Sequence, residues 1–309
     1  MEETPISGRS VVITGGAGFI GSHIAEALAA DNDVRILDDL SGGSREHVPA
    51  GAELITGDVR DPELLADAMD GADLVFHEAA LVSVEESVAN PRTSHRINAD
   101  ATVGLLEQAR EEDARVVLAS SAAIYGHPET VPVREGDPKD PTSPYGIDKL
   151  ALDHYARRYH DLYGLETVPL RYFNVYGPRQ NTEYSAVVSA FFRQAREGGP
   201  ITVEGDGEQT RDFVHVSDVV RANLLAATTD RVGEAFNVGT GASVTVNELA
   251  ETVVDVTGTD ADIEHVEARP GDIRHSEASV SKAREVLGYE PRVSLEEGLR
   301  KLAETKGRR

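Results

Sequence analysis

The chain has 309 residues, a net charge of −24 and no cysteine. Its length allows one large α/β unit or two lobes. The lack of thiols excludes disulfides and thiolate sites, and we expect no metal. A negative field of this size repels nucleic acid and anionic membranes, so neither is expected as a partner. No apolar stretch or basic leader predicts a membrane span or signal peptide, so we expect a cytoplasmic protein.

The acidity runs along the whole chain, and lysine is scarce among the 30 basic residues. This composition is typical of proteins that stay soluble in concentrated salt, where repulsion is screened over short distances. We take a halophilic source as a hypothesis, with an ordinary acidic cytosolic enzyme as the alternative. An anionic substrate has to be bound by local arginines that act against the overall field.

The first half of the chain alternates short β-branched runs with helical patterns. The predicted strands are 11–13, 34–37, 54–55, 74–76, 116–118, 167–172, 201–203 and 235–238. The predicted helices are 22–30, 62–69, 99–111, 145–163, 218–228 and 246–256. Strands alternating with helices predict right-handed βαβ units, and therefore an α/β fold with a Rossmann-type, doubly wound parallel sheet. The looser second half predicts a smaller C-terminal substrate-binding lobe.

A glycine-rich turn follows the first predicted strand. Gly15, Gly18 and Gly21 allow a tight turn and a close approach to a pyrophosphate, which the next helix N-terminus can bind. Asp38 ends the second strand, where a carboxylate can accept both ribose hydroxyl protons and repel a 2′-phosphate. The pattern predicts NAD rather than NADP, with helix capping as the alternative for Asp38. Asp58 and Val59 follow the third predicted strand. A polar and an apolar side chain side by side suit the edge of an adenine ring, so we expect this pair to contact the adenine of the cofactor.

A second signal comes from Tyr145 and Lys149, which share one face of a predicted helix because they lie four residues apart. An ammonium there, together with a positive nicotinamide, is expected to lower the pKa of Tyr145 toward working pH, and Lys149 can donate to the nicotinamide ribose. The hydroxyl of Ser120 or Ser121, at a strand end, can hold a substrate oxygen and share its proton. Alone, such a Tyr–Lys pair is usually a solvated helix face; behind a dinucleotide fold it predicts an acid/base site.

The chain from Val11 to Pro291 resembles the extended short-chain dehydrogenases/reductases of the NAD-dependent sugar epimerase/dehydratase group. The motifs that carry this resemblance are TGGAGFIG, SSAAIYG, the Tyr145–Lys149 pair, RYFNVYGPRQ, GDGEQTRDFVHVSDV, FNVGTG and RPGDIRHS. The resemblance implies an NAD-binding Rossmann domain over 1–174, to which 213–258 return, and a substrate-binding lobe made of 175–212 and 259–309. It also implies a homodimer, in which helices 99–111 and 145–163 pair with those of a second copy.

Position by position, the resemblance implies roles for individual residues. Ser121 takes the place of the catalytic Ser/Thr, with Tyr145 as acid/base and Lys149 as its partner. The residues implied to bind the cofactor are Gly15, Gly18, Phe19, Ile20, Gly21, Asp38, Asp39, Leu40, Ser41, Gly42, Asp58, Val59, Ala79, Ala80, Asn98, Tyr145, Lys149 and Phe173. The residues implied to bind the substrate are Ser121, Tyr145, Asn174, Arg211, Arg269, Asp272 and Ser276. Asn174 and the two arginines would grip a diphosphate, whereas each arginine taken alone is more typical of a surface ion pair.

The two residues after Ser121 help to select the reaction. Dehydratases that resemble this chain carry an acidic pair there, and decarboxylases carry a glutamate two residues on, whereas this chain has Ala122 and Ala123. Because alanine neither donates nor accepts a proton, we expect redox chemistry confined to one carbon. The expected enzyme is a 4-epimerase that interconverts UDP-glucose and UDP-galactose through a 4-keto intermediate with tightly bound NAD. Close packing at the strand end is the structural alternative for the alanines.

The exact sugar is left open by the sequence. Ser276 stands where enzymes restricted to plain hexoses often carry tyrosine, and TEYSAVV at 182–188 resembles enzymes that accept N-acetylated sugars. The alternatives are a UDP-glucuronate 4-epimerase, another nucleotide-sugar epimerase or reductase, an epimerase acting at other carbons by keto–enol chemistry, and a non-catalytic NAD-sensing regulator. The intact set of Ser121, Tyr145 and Lys149 argues against a regulator, which has no need of it.

Overall fold

The computed structural model describes residues 6–180, 187–269 and 271–306. Its strands are β1 (Ser10–Thr14), β2 (Asp33–Asp38), β3 (Ala52–Thr56), β4 (Leu74–His77), β5 (Arg115–Ser121), β6 (Thr167–Tyr172), β7 (Asn174–Tyr176), β8 (Ile201–Glu204), β9 (Thr210–Arg211), β10 (Phe213–His215), β11 (Phe236–Val238), β12 (Val244–Thr245) and β13 (Ile263–Val266). Its α-helices are α1 (Phe19–Leu28), α2 (Pro62–Met69), α3 (Val84–Ala89), α4 (Pro91–His95), α5 (Ala101–Glu112), α6 (Pro144–Tyr163), α7 (Val187–Glu197), α8 (Val216–Thr228), α9 (Val246–Thr257), α10 (Ser281–Leu287) and α11 (Leu295–Lys306).

A parallel sheet of seven strands, in the order β11-β6-β5-β4-β1-β2-β3, organises the larger part of the molecule. Its β-branched runs are buried on both faces, under α1 and α8 on one side and under α2, α5 and α6 on the other. The strand order changes direction between β1 and β4, and in such sheets ligands bind at the carboxyl ends beside that point. This architecture, with small sheets in the C-terminal part, confirms the predicted fold class.

The observed boundaries depart from the predicted ones where a local signal is weak. Helix α1 begins at Phe19, three residues earlier than predicted, with Gly18 as its N-cap. The predicted helix 99–111 is divided into a π-helical turn, Arg96–Asp100, and α5. Several strands of two or three residues were not predicted because their partners lie far along the chain; β7, for example, pairs with β10.

A second, smaller core lies outside the large sheet. It is built by α7, α9 and α11 with β8, through side chains such as Phe192, Leu249 and Leu299. Helix α10 packs instead in the core of the large sheet, next to β11. We therefore retain the two-part division as a proposal, with α8, β11 and α10 assigned to the Rossmann domain and α9 to the lobe.

None of the described helices is both long and apolar enough to cross a bilayer. Within the described ranges, no three His, Asp or Glu side chains are placed together so that they could hold a metal.

A buried ion pair joins α6 to the sheet. Arg171 donates from Nε and Nη2 to the Asp153 carboxylate, at 2.8 and 3.0 Å, and both side chains are almost completely buried. The same carboxylate accepts from Ser120 Oγ at 3.2 Å, and Arg171 Nη1 donates to the Tyr125 hydroxyl at 2.8 Å. Burial raises the pKa of Asp153, but hydrogen bonds and the charges of Arg171 and Arg157 outweigh it and hold the pKa below its usual range.

Replacing Asp153 should be strongly destabilising because it leaves the Arg171 charge buried without a partner. We expect Asp153→Ala to lower the free energy of unfolding by about 3–5 kcal/mol, measured by denaturant unfolding. The control is Asp161→Ala on the same helix, which removes an exposed pair with Arg158 at 2.8 Å and should cost at most about 1 kcal/mol. Equal losses in the two variants would contradict the structural importance of the buried pair.

Candidate active site

The glycine-rich turn after β1 forms a cradle at the carboxyl edge of the sheet. Gly15 has φ of +68°, and a Cβ there would lie 2.7 Å from the backbone nitrogen of Ala79. A Cβ on Gly21 would press into the Gly15 carbonyl and lie 2.9 Å from the Gly16 Cα. No described side chain caps α1, which begins at Phe19. The N–H groups of its first turn are therefore available to an anion such as a pyrophosphate.

Asp38 lies beside this turn at the end of β2. Its Oδ2 accepts from the Ala17 backbone N–H at 2.9 Å, and its Oδ1 accepts from the Leu40 N–H at 2.8 Å. Burial raises the pKa of this carboxyl, and the two backbone donors oppose that effect. A carboxylate has about four acceptor positions, so ribose hydroxyls can still be bound. The cradle, the open helix start and Asp38 together fit a dinucleotide.

The loop after Asp38 closes over the cradle. The Ser44 N–H donates to the Ala17 carbonyl at 3.0 Å, which draws residues 39–44 toward the glycine turn. Within the loop, the Ser41 N–H donates to Asp39 Oδ1 at 2.9 Å. The positions predicted from the sequence, Asp39, Leu40, Ser41 and Gly42, therefore lie beside the cradle, and their contact with a cofactor stays a prediction.

The other predicted cofactor residues support the cradle to different degrees. Residues 58–59 lie beyond the end of β3 at Thr56, with Val59 buried in the core rather than presented at an edge. Asn98 accepts from the Leu81 N–H at 2.8 Å and donates to the Leu81 carbonyl at 3.0 Å. Asn98 therefore holds the loop that carries Ala79 and Ala80. Its role in cofactor binding, as far as these bonds show it, is to position that loop.

Ser121, Tyr145 and Lys149 come together where β5 ends and α6 begins. Lys149 Nζ donates to the Ala119 carbonyl at 2.7 Å and lies 5.8 Å from the centre of the Tyr145 ring. The Ser121 Oγ accepts from the Ala123 N–H at 3.1 Å, and its hydroxyl lies close enough to Tyr145 to act on the pKa of that phenol. Of the two candidate serines, Ser120 instead binds Asp153 beneath the site. The geometry thus suits Ser121 as the substrate-facing hydroxyl.

The protein's own groups raise the pKa of Tyr145, whereas the expected lowering rests on Lys149 together with a positive nicotinamide. Burial raises the pKa of Tyr145, and the carboxyl of Glu78 raises it further, against the opposing hydrogen bond of Ser121. Burial also lowers the pKa of Lys149 to about 8. Sequence spacing placed Lys149 beside Tyr145 correctly, but it could not show that a carboxyl lies close to both.

That carboxyl, on Glu78, was missed by the sequence reasoning. Glu78 directly follows β4, is half-buried, and accepts from the Tyr172 hydroxyl at 2.8 Å. Burial raises its pKa to about 7. The signal that could have found it is the one used for Asp38 and Ser121, a polar side chain at the carboxyl end of a buried strand.

A cavity of about 210 Å³ adjoins Ser121. Its lining consists of Ser121, Ala122, Ala123, Tyr125, Gly126, Pro128, Val133, Tyr172, Phe173, Asn174, Arg211, Asp272, Ile273 and Ser276. Arg211 is ion-paired with Asp272 on its wall. Of the predicted substrate residues, Tyr145 and Arg269 are not part of this lining. The Arg269 guanidinium is largely exposed and is paired to Glu204 at 2.9 Å. Most of the TEYSAVV segment, 182–186, lies outside the described residues.

Comparison with known proteins supports a relationship along nearly the whole chain. A model of the NAD dependent epimerase/dehydratase family matches residues 11–239. The UDP-glucose 4-epimerase of Mycolicibacterium smegmatis is 38% identical over 303 residues, covering 95% of this chain and 97% of that protein. UDP-glucuronic acid decarboxylase 6 of Arabidopsis thaliana is 35% identical over 305 residues, covering 95% of this chain and 87% of that protein.

Solved structures agree with this relationship. A UDP-N-acetylglucosamine 4-epimerase from Methanobrevibacter ruminantium, in complex with UDP-N-acetylmuramic acid, has a TM-score of 0.93 and 38% identity, covering 97% of this chain and 98% of that one. A UDP-glucose 4-epimerase from Thermus thermophilus in complex with NAD has a TM-score of 0.89 and 38% identity, covering 96% of this chain and 98% of that one. The similar proteins thus include both epimerases and decarboxylases of nucleotide sugars.

The close approach at Gly21 predicts that a methyl group there will impair the cradle. Gly21→Ala should reduce NAD affinity by roughly tenfold or more, because relieving such a contact typically costs more than 1 kcal/mol. Binding is measured by calorimetry on protein stripped of nucleotide. The control is Gly104→Ala in α5, where a Cβ meets nothing within 4 Å. Unchanged NAD affinity in Gly21→Ala would contradict the assignment of this turn.

Proposed function

The chain belongs to the NAD-dependent epimerase/dehydratase family, and from that premise we propose that it is a 4-epimerase of UDP-glucose and UDP-galactose. The observation that carries the proposal is the pair Ala122 and Ala123 on the cavity wall beside Ser121. Asp272 is the one carboxyl among the described residues that line the cavity, and its charge is engaged by Arg211. An extra acid or base for elimination or decarboxylation is therefore lacking at this wall.

The proposed chemistry is confined to C4 of the sugar. Tyr145 takes the proton of the 4-hydroxyl, and the neighbouring Ser121 hydroxyl holds the same oxygen. NAD, held by the glycine cradle and Asp38, would supply the hydride acceptor for oxidation at C4 and the hydride for its reduction. Tyr145 gives the proton back after the 4-keto sugar has turned its other face to the site. Lys149, which is held by the Ala119 carbonyl, keeps a positive charge beside the phenol oxygen as its proton moves.

The cavity also supports a tethered substrate. Arg211 lines the same cavity as Ser121, and a guanidinium binds a diphosphate with two parallel hydrogen bonds. Such a grip would keep the nucleotide in place while the sugar turns. Arg269 lies outside the lining, and we propose that it contributes only if its segment moves from Glu204 toward the bound diphosphate.

We retain the homodimer as a proposal supported by exposed apolar side chains on the outer faces of α3 and α6. Val88, Ile147 and Leu162 are 61%, 55% and 69% exposed. The resemblance implies that α5 and α6 pair with those of a second copy, and we propose that this pairing covers Ile147 and Leu162 of α6, while Val88 lies on α3, which packs against α6.

The proposed function predicts a specific pattern of turnover. With a panel of UDP-hexoses and no added NAD, the protein should interconvert UDP-glucose and UDP-galactose, followed by NMR of the C4 epimers. Tyr145→Phe should lose roughly 100-fold or more of this turnover, because it removes the acid/base group, and should still retain NAD. Tyr155→Phe, an exposed tyrosine on the same helix, is the control that should turn over normally.

Other outcomes of the same assay discriminate between the remaining functions. Release of carbon dioxide from UDP-glucuronate or accumulation of a stable 4-keto sugar would exclude the epimerase. Turnover restricted to UDP-glucuronate epimerisation would change the substrate but keep the reaction. NAD binding without any turnover would favour a regulator.

Ser276 gives a test of sugar size. Because its small side chain lines the cavity, the protein is predicted to accept UDP-N-acetylglucosamine as well as UDP-glucose. Ser276→Tyr should then raise KM for the N-acetylated sugar by roughly tenfold or more through steric overlap, while UDP-glucose serves as the internal control. Equal effects on both sugars would show that Ser276 does not distinguish them.

A further inference from the structure

Glu78 occupies a defined place between the elements that carry the catalytic candidates. The register of β4 and β5 pairs His77 with Leu118, so Glu78 follows beside Ala119. The carbonyl of Ala119 is the group that holds Lys149 Nζ, at 2.7 Å. The Glu78 backbone thus lies on the strand next to the carbonyl that holds Lys149, and the charge of its carboxyl acts on Lys149.

The carboxyl is held there by a hydrogen-bonded chain. The Tyr172 hydroxyl donates to Glu78 Oε1 at 2.8 Å and accepts from Asn223 Nδ2 at 2.8 Å. Tyr172 and Asn223 are almost completely buried, and Asn223 Nδ2 also donates to the Val219 carbonyl at 2.9 Å within α8. The backbone N–H of Glu78 donates to the Thr14 carbonyl, at 3.1 Å. Both the backbone N–H and the carboxyl of Glu78 are therefore hydrogen-bonded, which restricts the orientation of the side chain.

From this arrangement we propose that Glu78 is a positioning residue of the active site, whose carboxyl, oriented by Tyr172 and Asn223, places a titratable negative charge close to Tyr145 and Lys149. The inference rests on the proposed function only in taking Tyr145 as the acid/base. It adds a third ionisable group to a site in which two were expected.

The direction of each effect follows from charge. The groups that act on Glu78 or are acted on by it are Tyr145 and Lys149 from α6 and Tyr172 from β6, and Asp148 also raises the pKa of Lys149. Burial raises the pKa of Glu78 to about 7, so the carboxyl loses its proton within the neutral range. Once ionised, it disfavours the Tyr145 phenolate and favours the Lys149 ammonium. The site should therefore hold its protons more tightly above pH 7 than the tyrosine and lysine would alone.

The test is an NMR titration with pH of the NAD-containing protein. Its tyrosines are labelled with carbon-13 at the ring carbon that bears the hydroxyl, whose chemical shift reports the loss of the phenol proton. The Tyr145 signal is identified by its absence in Tyr145→Phe. In Glu78→Gln the midpoint of the Tyr145 titration should fall by on the order of one pH unit, because a nearby negative charge has been removed. The rising limb of the pH–turnover profile should move to lower pH with it.

The matched control is Glu78→Asp, which keeps the charge and should keep the Tyr145 midpoint closer to that of the wild type. A midpoint that does not move in Glu78→Gln, or that moves equally in Glu78→Asp, would overturn the proposal. A merely structural role would lower turnover in both variants without shifting either midpoint.

A second variant keeps the inference testable if Glu78→Gln does not fold. In the wild type, the Tyr145 signal should show a small step near pH 7 as Glu78 ionises. Tyr172→Phe removes a donor that lowers the Glu78 pKa, so that step should move to higher pH. A signal without any step near neutrality, or a step unmoved by Tyr172→Phe, would overturn the proposal.

The two proposals fail in different ways. Turnover that survives in Tyr145→Phe would refute the proposed catalytic role, although the NMR titration would still report on Glu78. An inactive Tyr145→Phe combined with an unshifted titration in Glu78→Gln would refute the role of Glu78 alone.

Discussion

The buried pair of Asp153 and Arg171 is the constraint on which the geometry of the site depends. Tyr145, Lys149 and Asp153 are spaced by four residues, so they form one stripe along α6. Because Arg171 of β6 binds both oxygens of the Asp153 carboxylate, the rotation of α6 about its axis is restricted. Ser120, one residue before Ser121, binds the same carboxylate. A single buried charge thus fixes the relative position of the helix and the strand end that carry the catalytic candidates.

The larger part of the fold was predictable because its signals are local. β-branched runs mark the strands that are buried on both faces, and the glycine turn and the Tyr–Lys spacing act within a few residues. The division of the helix near Asn98 and the short pair β7–β10 were not predictable, because they depend on contacts between distant segments. The packing of α9 in the smaller core was not predictable for the same reason, because it depends on contacts with distant segments.

The candidate site was predictable as a set of positions but less so as an electrostatic environment. The predicted side chains at strand ends do converge, since parallel strands deliver their carboxyl ends to one edge. The protonation of Tyr145 depends on burial and on Glu78 of a different strand, and neither can be obtained from helix spacing. Arg269 illustrates the same limit, since a motif gives its position in the chain but not its partner, Glu204.

The ion pair between Arg211 and Asp272 has a consequence for selectivity. On the proposed function, a diphosphate entering the cavity meets a guanidinium that already has an internal anion as its ligand. Binding is then an exchange of one counterion for another, and its free energy is the difference between two similar interactions. A molecule with a single weak negative charge gains little by this exchange, whereas a doubly charged diphosphate can replace the carboxylate. In a chain with a net charge of −24, such an internal competitor would reject small anions that a bare arginine would retain.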